Sequence, residues 1–244
     1  MSNTTTGTAW LASLLENPGS DRDKQVLDAI SYGIVVCDWS PVTSLYQNHV
    51  ATFQVSTDAA YVKLDDESRF RFQVSAHLAQ LCADALNASF ITTKISDLSY
   101  QQAQVKLAAT LLPAGSDMVT TTKSKLWNAE IEKKRNNQNG LIRDCGKAWI
   151  ISNQLGLHPN EAINYGFYDP NAPYTNRFGI KMWQTLGTKH NSAHTDYSQT
   201  LLLMSSTCQV DGQQMKVSDV MQSPTLCGLI SDEGVLKFTR QPGV

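Results

Sequence analysis

The densest chemistry in this sequence is the run Lys189-His190-Asn191-Ser192-Ala193-His194-Thr195-Asp196-Tyr197-Ser198. It carries two of the five histidines, together with a carboxylate, a phenol and several hydroxyls. On a helix, His190 and His194 would share a face and could hold one metal ion. Gly187, Thr188, Asn191, Ser192 and Thr195 are poor helix formers, which argues against that geometry. In a continuous strand the two imidazoles would stand about 13 Å apart, too far for one ion. A loop over 190–193 feeding a strand at 194 is the remaining arrangement. It would set His194, Asp196 and Ser198 on one face, neighbours about 6.6 Å apart, with His190 folding back from the loop. Such a segment can build a His–Asp pair with Ser198 alongside, or a mononuclear His/His/Asp site. It can also be a plain polar loop whose histidines bond to backbone carbonyls.

Two weaker signals lie upstream. Asp144-Cys145-Gly146-Lys147 precedes the apolar Trp149-Ile150-Ile151. A lysine entering a strand can act as a base or an anion clamp when desolvated, and is otherwise a surface residue at a strand mouth. Cys145 lies between Arg143 and Lys147, cations that could favour a thiolate. In Asn164-Tyr165-Gly166-Phe167-Tyr168-Asp169-Pro170, the tyrosines can line a ligand pocket or cover a core edge. Tyr165, Tyr168 and Tyr197 are the candidate substrate-binding residues. His190, His194, Asp196, Ser198 and Lys147 are the candidate catalytic ones. His49, His77 and His158 read as structural or exposed. There is no GxGxxG, P-loop, GxSxG or HExxH pattern.

The elements that must position these residues follow from periodicity. Helices are expected after Thr8, from Asp21 to Gly33, from Ser75 to about Leu86, over Ser96–Gln104 and over Asp117–Gln138. The last has a sparse apolar stripe, Leu126, Trp127 and Ile131, and reads as a surface or partner-bridging helix. Strands are expected at Ile34–Trp39, His49–Ser56, Arg69–Val74 and Val105–Leu112. After them come Ala148–Ser152, Ile163–Phe167, Ile180–Thr188, Asp196–Val210 and Val235–Phe238. Asp211-Gly212 is a hairpin turn. Pro113-Ala114-Gly115-Ser116 is the clearest break. The fold class is therefore α+β, with a helix-rich N-terminal part and a mostly antiparallel β C-terminal part. The division is residues 1–113 and 114–244, or one continuous domain.

Composition narrows the function. Of 244 residues 17% are charged, the formal net charge is −2, and no basic stripe exists, so nucleic-acid binding is disfavoured. Five cysteines at wide spacing, without CxxC, argue against a disulfide framework and a thiolate zinc site. No cofactor is implied. The first residues lack a basic and an apolar region, so no signal peptide is read, and reduced thiols point to synthesis in the cytoplasm. The longest apolar run, Leu201–Met204, is far too short for a membrane span.

The C-terminal half resembles an uncharacterised family of bacterial and phage proteins. The residues that carry the likeness are Gly146-Lys147 before Ile150-Ile151-Ser152-Asn153, then Ala162-Ile163-Asn164-Tyr165-Gly166, and His190 with Asp196-Tyr197-Ser198. Val210-Asp211-Gly212 and Leu229-Ile230-Ser231-Asp232-Glu233-Gly234 complete it. The family pattern has histidines near Cys145 and Tyr168, and one at the position of Gln199, that this chain lacks. The resemblance implies a polar site at Lys147, Tyr165, His190, Asp196 and Ser198 without naming a reaction. Three functions stay open: a hydrolase of an ester, amide or glycan bond; a non-catalytic phage or bacterial assembly protein, homo-oligomeric or virion-associated; and a small-ligand binding module.

Overall fold

The computed structural model describes residues 6–156 and 160–244; the expectation for His158 lies outside them. Thr6 caps α1 (Gly7–Ser13), its hydroxyl accepting from the Ala9 amide, and α2 (Ser20–Ser31) follows Gly19. β1 (Val35–Val36), β2 (Trp39–Tyr46), β3 (His49–Ser56), β4 (Tyr61–Lys63) and β5 (Arg69–Arg71) come next. Ser75 caps α3 (Ala76–Ala85) and Thr92 caps α4 (Thr93–Gln102), with β6 (Ala88–Phe90) between them. After β7 (Val105–Lys106), α5 (Thr121–Arg135) is capped by Thr120 and ends on Asn136 in the left-handed region.

The second half holds β8 (Ile142–Arg143), β9 (Lys147–Trp149), β10 (Glu161–Tyr168), β11 (Tyr174–Thr175) and β12 (Lys181–Asn191). β13 (Gln199–Thr200), β14 (Leu203–Val210), β15 (Gln213–Lys216) and α6 (Val217–Gln222) complete the strands and α-helices of the described residues, with short 3-10 turns at Ser116–Val119 and Cys227–Leu229. The architecture is α+β with mainly antiparallel pairing. Two five-stranded sheets dominate: β11-β12-β10-β9-β13, and β15-β14-β3-β2 with β6 also on β14. The second sheet takes strands from both sides of the Pro113–Ser116 break. One apolar cluster runs from Trp10 to Leu236 beneath both sheets. No helix among the described residues is long and apolar enough to cross a membrane.

Several expected elements change. The Asp196–Val210 strand is two strands in different sheets, β13 beside β9 and β14 beside β3, because the chain crosses between sheets after Thr200. Val105–Leu112 pairs as a strand only at Val105–Lys106, and Val235–Phe238 forms no ladder. The 117–138 helix begins later and does not lie loosely on the surface. Trp127 and Ile131 are fully buried in a second, smaller cluster with Phe167 and Tyr197. Its polar residues also point inward, which hides the apolar stripe from a sequence reading. Asn128 accepts from Arg71, and Glu132 pairs with Arg71 and Arg135.

Candidate functional site

The site lies on one face of the sheet containing β12, β10 and β9. Side chains alternate across a strand, so Lys147 and Trp149 of β9 share a face. Trp149 stands opposite Asn164 of β10, and Asn164 stands opposite Gly187 of β12. His190, near the end of β12, stands opposite Ala162, two residues before Asn164. A Cβ built on Gly187 would lie 2.9 Å from His190 Nε2 and 2.4 Å from Gln184 Nε2. The imidazole therefore leans back over the Gly187–Asn164 pair, in space that any other residue at 187 would fill. From the other side the Trp149 ring meets it edge-on, centroids 6.2 Å apart.

Lys147 and Asp196 meet at the β9 end of this face, Nζ to Oδ2 at 3.3 Å, with both side chains largely buried. The backbone brings them together. β13 runs parallel to β9 with Gln199 beside Lys147, and the Lys147 amide donates to the Ser198 carbonyl. The ammonium also lies 5.6 Å from the centre of the Phe167 ring. Desolvation lowers the His190 pKa, with the Lys147 charge acting in the same direction and Asp196 opposing it. His190 is thus neutral at physiological pH and able to accept a proton.

Asn164 is the residue that the sequence reading passed over. It is fully buried, and neither Nδ2 nor Oδ1 has a hydrogen-bond partner among the described residues. Buried polar groups are almost always paired, so two unmet atoms on one side chain mark a place where something else belongs. The available signal was an asparagine inside the otherwise apolar strand Ala162–Tyr168, where asparagine is disfavoured.

The remaining candidates fall elsewhere. His190 is in a strand and the loop begins after it, at 192–198, the reverse of the expected order. Side chains enforce that loop: Asn191 Oδ1 accepts from the Ala193 amide, and Asp196 Oδ1 accepts from the Ser198 amide at 2.8 Å and hydroxyl at 2.6 Å. Such local bonds compete with extended pairing. His194, Asp196 and Ser198 therefore share no strand face. Ser198 donates to a carboxylate and has no contact with an imidazole, so it is not an activated nucleophile. His194 is exposed on the turn. Among the described residues, no group of three or more His, Cys, Asp or Glu is placed to hold a metal ion.

The three tyrosines are structural in their contacts. Tyr165 and Tyr168 lie against α4, on the other face from Lys147 and Trp149. Their hydroxyls donate to Asp97 at 3.1 Å and 2.9 Å, and burial raises the Asp97 pKa. The Tyr197 hydroxyl accepts from the Leu112 amide and donates to its carbonyl, clipping the 112 segment onto the sheet. Cys145 is fully buried, and desolvation pushes its thiol pKa strongly upward, against a reactive thiolate. His77 Nε2 lies 3.1 Å from Ser192 Oγ, and His49 pairs with Asp211 at 2.6 Å.

Comparison with family models, with curated proteins and with solved structures gives no match. The functional reading therefore stands on the geometry of this chain.

Proposed function

We propose that this face of the sheet binds a small acyl compound and hydrolyses it, with His190 as general base. The observation that carries the reading is the placement of a neutral, half-buried imidazole over the unpartnered Asn164, beside the Lys147–Asp196 pair. His190 would take a proton from water as the water oxygen bonds to the carbonyl carbon. Lys147 would stabilise the charge developing on the carbonyl oxygen. The bond to the leaving group then breaks, the imidazolium returns its proton to that group, and a carboxylic acid is released with an alcohol or amine. Asp196 holds Lys147 in position. Ser198 takes no part, because its hydroxyl is committed to Asp196.

The test is a panel of activated esters and anilides assayed with wild type, His190→Ala and Lys147→Met. Removal of a general base should lower kcat by about a hundredfold or more, with the melting temperature little changed. Hydrolysis that survives His190→Ala at the wild-type rate would sink the reading.

A second reading is favoured by the same unmet Asn164 atoms: a binding module with no chemical step. It predicts saturable ligand binding without turnover. The assembly-protein reading would instead require a self-association surface.

A further inference from the structure

We propose that the group recognised at this site is a carboxamide edge, and that Asn164 is the residue that reads it. The proposal deepens the acyl-hydrolase reading, on which it rests for chemistry, but it concerns recognition and can be measured by binding alone.

The argument starts from the side chain itself. An asparagine amide places an N–H donor and a C=O acceptor side by side in one plane. Both are buried and unmet here. The complement is an acceptor beside a donor, also planar: a primary carboxamide or a lactam, since the C=O and N–H of a trans peptide group point opposite ways. An ester supplies an acceptor for Nδ2 but nothing for Oδ1, which stays desolvated and unpaired. A carboxylate would set an anionic oxygen against Oδ1.

The surroundings agree. Lys147 is already matched by Asp196, and burial keeps His190 uncharged. The site offers no unbalanced charge to an ionic ligand, so a neutral one fits. Gly187 has no side chain beside Asn164, and the ends of His190 and Gln184 fill that space, so a ligand reaches Asn164 by displacing these two flexible side-chain ends.

The experiment uses the full chain and matched compounds built on one acyl group: the primary amide, its methyl ester, its carboxylate, and a diol of similar size. Binding is read by titration with protein NMR or calorimetry, and turnover by product release. The expected result is that the amide binds about tenfold or more tightly than the ester, the cost of one buried unpaired acceptor. Asn164→Leu should erase that preference while the protein stays folded, since a buried amide without partners contributes little to stability. Asn164→Val removes both polar atoms with a smaller side chain and serves if the leucine variant does not fold; it too should lose the amide preference.

Equal binding of amide and ester would overturn the proposal. Preference for the diol or carboxylate, no binding of any compound, or an amide preference that survives both Asn164 variants would also overturn it. His190-dependent ester hydrolysis without amide preference leaves the hydrolase reading standing and removes this one. Asn164-dependent amide binding without turnover does the opposite.

Discussion

Asn164 on β10 stands directly opposite Gly187 on β12, and the glycine is what lets the His190 ring lean back over the asparagine. A side chain at 187 would drive His190 outward. Gly187→Ala is therefore expected to reduce any activity of the site by more than it reduces stability. Melting temperature and turnover, measured on the same preparation, separate the two.

His190 also sets a pH dependence. Its pKa lies below the usual histidine value because burial and Lys147 disfavour the imidazolium. The unfolded chain thus takes up this proton at a higher pH than the folded one. The contribution to stability is present above about pH 6.5 and is lost as pH falls through the folded pKa. Activity should fall over the same acid range. Urea titrations between pH 5 and 8 should show His190→Ala with a flatter stability profile than wild type.

Asp144 is expected to act in the opposite direction. Burial pushes its carboxyl pKa up to about 8, outweighing the Gly146 amide that donates to Oδ1. The folded state holds a proton that the unfolded state releases near pH 4. Stability from this group is full below about pH 4 and declines as pH rises toward 8, with a limiting slope of about 1.4 kcal/mol per pH unit. Asp144→Asn should remove the decline and stabilise the protein at pH 8, where chemical denaturation would read the gain directly.

The Asp58 cluster gives an acid-side counterpart. Asp58 is fully buried and pairs with Arg71 at 2.5 Å and Arg69 at 2.9 Å. The burial cost is outweighed by these guanidiniums, which hold its pKa at about 2. Its contribution is present above about pH 4 and is lost as pH falls toward 2. Asp58→Asn leaves Arg71 buried with only Glu132 as a carboxylate partner, and should cost about 3 kcal/mol at pH 7. A cost that stays the same at pH 2.5 would contradict the ion-pair account.

Four thiols should be inert. Burial raises the Cys37 pKa to about 12 and the Cys208 pKa to about 11, and drives Cys82 and Cys145 higher still. Since the thiolate is the reactive form, labelling of these four in native protein at pH 7.5 by a disulfide reagent should be slow. Denatured protein should label fast at all five cysteines. Rapid labelling of Cys145 in the native state would contradict its buried position.

Local sequence determined much of the secondary structure. Ser75 before an apolar helical stripe fixes α3, alternation from His49 to Ser56 fixes β3, and Asp211-Gly212 fixes the turn between β14 and β15. These are short-range effects of capping, pleat and turn geometry. The sequence also singled out Lys147, His190 and Asp196 as residues of chemical interest. It placed His190 in a loop because the strand β12 runs on through residues of low strand preference, held by pairing with β10 that no local pattern reports. For Tyr165 and Tyr168 the sequence left a ligand pocket and a core edge both open; strand alternation and the bend at Gly166–Phe167 turn both toward Asp97, which lies about seventy positions earlier. In the tertiary structure Lys147 meets Asp196 across 49 positions, because β13 pairs with β9. Only the tertiary structure could show that Asn164 is buried without a partner, since satisfaction of a polar group depends on every neighbour that folding brings near.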